Sequence, residues 1–200
     1  MTIYDLKTSF QNILRPLTNR LAAAGCTANQ ITIGAMCLSF ACAGWIYFSH
    51  GSRASLLAVP FVLFVRMALN AIDGMLAREH DMKTRLGALL NELGDVLSDS
   101  AIYLAFAAAP GIATEPLVVI VVLAVVSEMT GVIAVQIGSE RRYDGPMGKS
   151  DRAFCFSCLA LVLAFDVHAD MWLAAALWVV AALLGITILN RARRALTGAD

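Results

Sequence analysis

Almost the whole chain consists of long apolar stretches. Six runs of mostly apolar side chains follow one another along its 200 residues: 32–50, 55–76, 86–109, 116–138, 153–168 and 171–190. A helix needs about 20 such residues to cross the hydrocarbon layer of a membrane. The pattern therefore predicts an all-α integral membrane bundle of six transmembrane helices. With 59% hydrophobic and 15% charged residues, the composition excludes an ordinary water-soluble domain, a disordered chain and a nucleic-acid binder.

The N-terminal segment has a different pattern. Lys7, Arg15 and Arg20 alternate with apolar side chains at helical spacing. This predicts a juxtamembrane amphipathic helix over residues 1–24, lying on the membrane surface. Since no linker or low-complexity tract divides the rest, we interpret residues 1–200 as a single integral membrane domain.

Lys and Arg side chains are concentrated at every second connection between the runs. They precede the first run and follow the second, the fourth and the last: Lys7, Arg15, Arg20, Arg78, Lys83, Arg85, Arg141, Arg142, Lys149, Arg152, Arg191, Arg193 and Arg194. The alternate connections, around Gly51 and over 110–116 and 166–170, hold only Arg53. Cytoplasmic loops are enriched in Lys and Arg, so both termini are predicted in the cytoplasm. The compact loops favour a prokaryotic inner membrane, crossed several times.

Polar side chains interrupt the second and third runs at steps of three and four residues, which places each set on one helix face. The two sets are Arg66, Asn70 and Asp73, then Asn91, Glu92, Asp95 and Asp99. An Asp at the centre of a membrane helix costs about 2.5 to 3.5 kcal/mol if it meets lipid. We therefore expect these groups to line a wet cavity or to bind cations.

Only a short connection, residues 78–87, joins the two polar helices, so we predict that they are antiparallel neighbours. Their polar faces then form one pocket that faces the cytoplasm. Carboxylate and amide oxygens without nearby His or Cys favour Mg²⁺ or Mn²⁺ over zinc. Such a site suits phosphoryl transfer. From the residues alone, a cation transporter and a purely structural polar network remain open alternatives.

The spacing of these residues resembles a known signature. Asp73-Gly74-x-x-Ala77-Arg78 is followed by eight residues and then by Gly87 and polar positions at four-residue steps. The CDP-alcohol phosphotransferase family, the CDP-alcohol phosphatidyltransferases, has D-x-x-D-G-x-x-A-R, about eight residues, then G-x-x-x-D-x-x-x-D. Segment 27–32 is also similar to the family's P-N-x-x-T. A motif with this many spaced positions is specific. The resemblance implies an enzyme with six spans that forms a homodimer.

The chain departs from that signature at two positions. Asn70 and Asn91 stand where the family has its first and third Asp, while Asp73 and Asp95 match the second and fourth. The resemblance implies that these four residues hold the metal and the diphosphate, with Asp95 as general base. An amide oxygen carries no net charge, so we hypothesise that Glu92 and Asp99 restore the missing charge around the metal. A single-metal or catalytically weakened member is the competing interpretation.

The resemblance also implies the reaction. A phosphatidyl group passes from a CDP-activated lipid, commonly CDP-diacylglycerol, to a small polar alcohol or polyol phosphate, and CMP is released, as in phospholipid biosynthesis. The alternative is a CDP-amino-alcohol donor with diacylglycerol as acceptor. Gly74, Ala77, Arg78 and Gly87 are implied to contact the nucleotide, since small side chains permit close approach and Arg78 offers paired donors to phosphate. Close helix packing in the membrane is the other role that such glycines serve.

A polar segment over residues 141–152 joins the fourth and fifth runs, and its glycines and proline predict a loop. Lys149 and Arg152, with Arg66 nearby, are candidates for binding a phosphate on the acceptor, which favours a phosphorylated acceptor. Ordinary positive-inside anchoring and an Arg66 to Asp73 pair are the alternatives. Glu128, a carboxylate within the fourth run, is either functional or part of a helix or subunit contact.

Overall fold

The computed structural model describes residues 3–165 and 170–198, and every regular element in this part of the chain is helical. The α-helices are α1 (Ile3–Ala23), α2 (Ala28–Phe48), α3 (Arg53–Glu79), α4 (Arg85–Ala105), α5 (Thr114–Gln136), α6 (Lys149–Ala164) and α7 (Asp170–Thr197). A 3-10 turn, Phe106–Ala108, extends α4. The all-α prediction is confirmed for these residues. Most of the predicted connection over 166–170 lies outside them.

Each predicted apolar run forms one helix, α2 to α7, and side-chain caps set several of the starts. The Thr27 hydroxyl accepts a hydrogen bond from the Gln30 backbone N–H, and the Gln30 side chain accepts one from the Thr27 N–H. This capping box starts α2. Ser52 and Thr84 cap α3 and α4 in the same position.

Four helices are long and apolar enough to cross a membrane, as judged by length and composition: α2, α3, α5 and the Trp172–Thr197 part of α7. The other two predicted spans differ from these. Helix α4 has 21 residues but carries the acidic face, and α6 has only 16 residues. Both contribute charged side chains to the site described below, which explains their weaker apolar signal. Six spans therefore stay a prediction.

Helix α1 is attached to the end of α3. Leu14 and Leu21 pack against a small apolar cluster of Ala28, Ile72 and Leu76, and the Arg15 guanidinium lies 3.0 Å from the Glu79 carboxylate. These contacts hold α1 against the end of α3. Its placement on a membrane surface stays a prediction.

Helix α2 packs along both α3 and α4, while α6 packs on α3, α4 on α5, and α5 on α7. One apolar core joins residues of α2 to α7. The backbones of α3 and α4 make few close contacts with each other. This differs from the predicted direct packing, because α2 lies against both helices. Polar side chains such as Arg66 and Asn70 reach from α3 to α4 across the gap. That gap contains the cavities of the site.

Contacts between helix ends show which of them lie at the same end of the bundle. At one end the Asn29 amide, near the start of α2, donates to the Thr84 hydroxyl just before α4, at 3.3 Å. At the other end the Arg53 guanidinium, at the start of α3, lies 5.4 Å from the ring centre of Phe165, after α6. Successive helices α2 to α6 therefore run in alternating directions, as the sequence predicts for membrane spans.

The connection between α5 and α6 is held against α7. The Met147 N–H donates to the Thr187 hydroxyl at 3.0 Å. Gly145 has φ +123°, and a Cβ atom there would lie 2.7 Å from the Thr187 Cα atom. Only glycine tolerates both this backbone conformation and this approach. The loop is therefore fixed, and with it the start of α6.

Helix α6 begins earlier than the sequence suggested. The segment 141–152 was predicted as a loop, but its last residues, Lys149 to Arg152, form the first turn of α6. The Gly148 N–H donates to the Asp151 carboxylate at 2.9 Å, which caps this turn. Lys149 and Arg152 therefore project from a rigid helix.

Candidate active site

A cavity of about 340 Å³ opens between α2, α3 and α4 and contains Asp73, so we name it the Asp73 cavity. Its lining consists of Ala28, Asn29, Thr32, Asp73, Gly74, Ala77, Arg78, Met82, Lys83, Thr84, Gly87, Ala88 and Asn91. All four residues that were predicted to contact a nucleotide, namely Gly74, Ala77, Arg78 and Gly87, belong to this lining. The structure thus brings that predicted set together.

The two motif glycines keep the Asp73 cavity open. A Cβ atom on Gly87 would lie 2.6 Å from the Asn29 side-chain oxygen, and one on Gly74 would lie 3.3 Å from the Arg78 guanidinium nitrogens. A larger residue at either position would push polar side chains of the lining aside. Their small size therefore serves the cavity itself.

A second cavity, of about 330 Å³, lies between α3, α4 and α6, and we name it the Asp95 cavity. Its lining consists of Leu63, Arg66, Met67, Asn70, Asn91, Asp95, Asp99, Tyr143, Lys149, Ser150 and Ala153. Asn91 lines both cavities. The two cavities, which are similar in size, therefore meet at Asn91, one of the four motif positions that the family resemblance implies for the metal.

Asp73 is buried and has no cationic partner at ion-pair distance among the described residues. The Thr32 hydroxyl donates to its Oδ2 atom at 2.8 Å. The predicted alternative of an Arg66 to Asp73 pair is not seen, since Arg66 contacts other carboxylates. Asp73 thus keeps its negative charge available within its cavity.

Asp95, in contrast, has several donors. Its Oδ2 atom lies 2.6 Å from the Lys149 ammonium, and its Oδ1 atom accepts from Asn70 Nδ2 at 2.8 Å and from Arg66 Nη2 at 3.2 Å. These bonds hold the carboxylate at the wall of the Asp95 cavity. They also join α3, α4 and α6 across the gap.

Glu92 and Asp99 are likewise paired with arginines. Asp99 binds Arg66 through one oxygen and lies 3.0 Å from Arg152 through the other, and Glu92 lies 2.7 Å from Arg141. The hypothesis that these two carboxylates supply extra charge to a metal therefore finds no free group in this arrangement. Arg152 itself is 1% exposed and lines neither cavity.

The carboxylate of Glu128, on α5, is surrounded by basic side chains. It is 2% exposed, and four cationic side chains lie within 3.7 Å of its carboxylate. They are Arg152 at 3.1 Å, Arg141 at 3.3 Å, Arg191 at 3.5 Å and Lys149 at 3.7 Å. A buried carboxylate is tolerated when it is paired in this way. Glu128 therefore ties α5, α6 and α7 to the wall of the site.

The residues fit a single hard cation better than a pair. No group of three or more His, Cys, Asp or Glu side chains converges as metal ligands in the described part of the chain. What the motif offers is an all-oxygen set: Asp73, the partly neutralised Asp95, and the amides of Asn70 and Asn91. Oxygen ligands of this kind suit Mg²⁺ or Mn²⁺. Asp73 and Asp95 are the two carboxylates of this set, and Asp95 is already paired with Lys149 and Arg66. They therefore supply little negative charge to hold two divalent ions.

Several site residues escaped the sequence reasoning. Thr32, which contacts Asp73, and Asn29 and Thr84, which line the same cavity, lie at the starts of helices and were not singled out as site residues. The N-x-x-T spacing of Asn29 and Thr32 was the available signal. The sequence offered no signal that Glu128 pairs with four basic side chains, because these partners lie on other elements.

The comparisons with known proteins agree with the family resemblance of the sequence. A family model for CDP-alcohol phosphatidyltransferases matches residues 26–187. The inner membrane protein YnbA of Escherichia coli (strain K12) is 42% identical over 197 residues, which cover 98% of this chain and 97% of that protein.

Two solved structures of the phosphatidylinositol phosphate synthase PgsA1 from Mycobacterium tuberculosis have a similar fold. The form with CDP-DAG bound has a TM-score of 0.77 at 24% identity, covering 94% of this chain and 96% of that one. The form with manganese and citrate has a TM-score of 0.75 at 23% identity, covering 92% and 90%. At this identity the likeness concerns the fold.

Proposed function

This chain belongs to the CDP-alcohol phosphatidyltransferase family and is an enzyme, and we propose that it transfers a phosphatidyl group from CDP-diacylglycerol to a small polar alcohol or polyol phosphate, releasing CMP. The observation that carries the proposal is the pair of adjoining cavities, one with the motif glycines and the other with Asp95. A transfer between two substrates requires that both lie side by side with their reacting atoms in contact. A CDP-amino-alcohol donor with diacylglycerol as acceptor is the alternative.

We assign the donor to the Asp73 cavity. Arg78 and Lys83 in its lining provide positive charge for a diphosphate, and the glycines at 74 and 87 leave room for the nucleotide. The likeness to a synthase that was solved with CDP-DAG bound supports a CDP-lipid as the donor.

We assign the acceptor to the Asp95 cavity. The acceptor hydroxyl oxygen forms a bond to the lipid-bearing phosphorus, the bond from that phosphorus to the oxygen of CMP breaks, and Asp95 takes the hydroxyl proton. Lys149 and Arg66 hold Asp95 in place and face the same space. Arg152 is placed to position Asp99 and Glu128 rather than to contact substrate.

We propose that Asp73 and Asp95, with the amide oxygens of Asn70 and Asn91, hold Mg²⁺ or Mn²⁺. When bound, the ion supplies positive charge to the diphosphate oxygens. The likeness to a synthase solved with manganese supports a divalent ion. Glu92 and Asp99 then act through the arginines that they position.

We also propose that the chain is one integral domain that crosses the inner membrane six times, with both termini and the site in the cytoplasm and α1 on the surface. The charged helix ends near the Asp73 cavity fit the positive-inside rule, and the relative YnbA is an inner membrane protein. A homodimer is the expected assembly, from the family resemblance.

The test is CMP release by the purified protein with CDP-diacylglycerol, Mn²⁺ and a panel of polyols and polyol phosphates, with the lipid product identified by mass spectrometry. We expect Asp73→Asn and Asp95→Asn to lose at least a hundredfold in rate. Asp81→Asn is the matched control, because Asp81 is exposed and lines neither cavity. The proposal fails if no acceptor yields CMP, or if both variants match the control. Release of CMP only with a CDP-amino-alcohol and diacylglycerol supports the alternative.

A further inference from the structure

The charged side chains that line the Asp95 cavity balance one another, and the positive charge of the proposed metal ion is directed to the donor diphosphate. Two are cations, Arg66 and Lys149, and two are carboxylates, Asp95 and Asp99. The other polar groups of the lining are uncharged: Asn70, Asn91, Tyr143 and Ser150. We propose that the acceptor is an uncharged polyol rather than a phosphorylated one, and that Glu128 sets this preference by drawing arginines away from the cavity. The inference rests on the proposed function and narrows its acceptor class.

The first step of the argument is hydrogen-bond complementarity. A phosphate monoester carries about 1.5 to 2 negative charges at pH 7 and mainly accepts hydrogen bonds. Ionised Asp95 and Asp99 also only accept, so they repel it. A polyol hydroxyl both donates and accepts. It can therefore donate to the carboxylates and accept from Lys149 or the amides within the same cavity.

The second step concerns the cations beside the cavity. Arg152 and Arg191 are each 1% exposed, and both point to Glu128 at 3.1 and 3.5 Å. Arg191 also donates to the Ser127 carbonyl at 2.7 Å. Neither arginine lines the cavity. The positive charges of Arg152 and Arg191 are therefore paired inside the protein and do not face the acceptor.

The third step concerns Arg141, which contacts a residue of the cavity lining. It lies 2.7 Å from Glu92 and 3.3 Å from Glu128, and it contacts the ring of Tyr143, which lines the cavity, with 4.9 Å to the ring centre. Lys149 is shared in a similar way, between Asp95 at 2.6 Å and Glu128 at 3.7 Å. Without the Glu128 charge, Arg141 would keep only Glu92 and Lys149 only Asp95 as a carboxylate partner, so the net charge beside the cavity would become more positive.

The experiment compares glycerol with glycerol 3-phosphate as acceptors in CMP release. For the unmodified enzyme we expect kcat/KM for glycerol to exceed that for glycerol 3-phosphate by at least tenfold. In Glu128→Gln the KM for glycerol 3-phosphate should fall at least tenfold, with the KM for glycerol changed less than threefold. Glu92→Gln changes a partner of Arg141 whose side chain is 34% exposed, and it should shift the ratio in the same direction. Glu140→Gln, at an exposed residue of the same loop with no ion pair among those described, is the matched control.

A second measurement does not depend on turnover. Calorimetric titration with inorganic phosphate should show tighter binding to Glu128→Gln or Glu92→Gln than to the unmodified protein and the control. The Asp73 cavity is the same in all of them, so the difference reports on the Asp95 cavity. Glu92→Gln keeps the test valid if Glu128→Gln does not fold.

Three results overturn the inference: a preference for glycerol 3-phosphate in the unmodified enzyme, an unchanged acceptor ratio in the folded variants, or equal phosphate binding throughout. If CMP forms and glycerol 3-phosphate is preferred, the inference fails and the proposed function stands. If no acceptor yields CMP, the proposed function fails, and phosphate binding still decides the charge argument.

Discussion

Replacing Thr32 by valine removes one hydroxyl and nearly preserves the shape of the side chain. That hydroxyl lies 2.8 Å from Asp73 Oδ2 and 3.1 Å from the Ala28 carbonyl. A hydrogen bond to a charged group contributes about 1.5 to 3 kcal/mol. The hydroxyl has one proton for two acceptors, so we take the lower end, about 1.5 kcal/mol, which corresponds to about tenfold in an equilibrium constant. Loss of a group that orients a metal ligand typically costs roughly 10- to 100-fold in metal affinity, which agrees.

The expected result is a rise of about tenfold in the Mn²⁺ concentration that gives half-maximal CMP release. Thr32→Ser keeps the hydroxyl and should stay near the unmodified value. Ser39→Ala removes another buried hydroxyl of α2, one that donates to the Ala35 carbonyl at 2.8 Å, and controls for the helix itself. If Thr32→Val folds, as shown by its thermal unfolding, and its Mn²⁺ dependence stays within twofold, the reasoning about Asp73 is wrong.

Three further predictions concern the ion pairs and the loop. Arg152→Met removes one partner from each of two buried carboxylates, Asp99 and Glu128. Since both keep other cationic partners, the free energy of unfolding in detergent should fall by about 3 kcal/mol, the lower end for a broken buried pair; an unchanged midpoint would contradict the buried network. Glu92→Gln should leave the Mn²⁺ dependence of CMP release within twofold, whereas Asp73→Asn should weaken it more than tenfold; equal effects would restore Glu92 as a ligand. In Gly145→Ala the new methyl group would collide with Thr187 of α7. We expect the free energy of unfolding to fall by roughly 1 to 3 kcal/mol, more than in Gly138→Ala, where the new methyl group meets open space. Equal losses of stability in the two variants would mean that the positive φ alone matters.

The positions of the helices follow from local information. Apolar runs, caps such as Thr27 and Thr84, and turn glycines act over a few residues, so the boundaries of α2 to α5 could be predicted closely. The steps of three and four residues correctly placed Asp95 and Asp99 together, since both line the Asp95 cavity. Asn70 and Asp73, three residues apart on α3, line different cavities. The same local logic misjudged the start of α6, because the Gly148 to Asp151 cap is only one of several turns that such a segment allows.

The pairing of charges could not be predicted in this way. From the sequence, Glu92 and Asp99 looked as free to bind a metal as Asp73, and Arg152 looked free to bind a substrate. In the structure the first two face arginines and the third is buried between carboxylates. A charge pattern along one helix does not state which opposite charges from other helices will reach it.

The sequence by itself determined an all-helical chain, its apolar segments, the motif residues and the family to which they point, since all of these depend on residue order and local spacing. Only the tertiary structure decided that α2 lies against both α3 and α4, that two cavities adjoin at Asn91, and that Glu128 pairs with four basic side chains. The physical reason is that the distance between side chains dozens of residues apart depends on how each helix is rotated and packed. The whole core sets that rotation at once, and no single segment contains it.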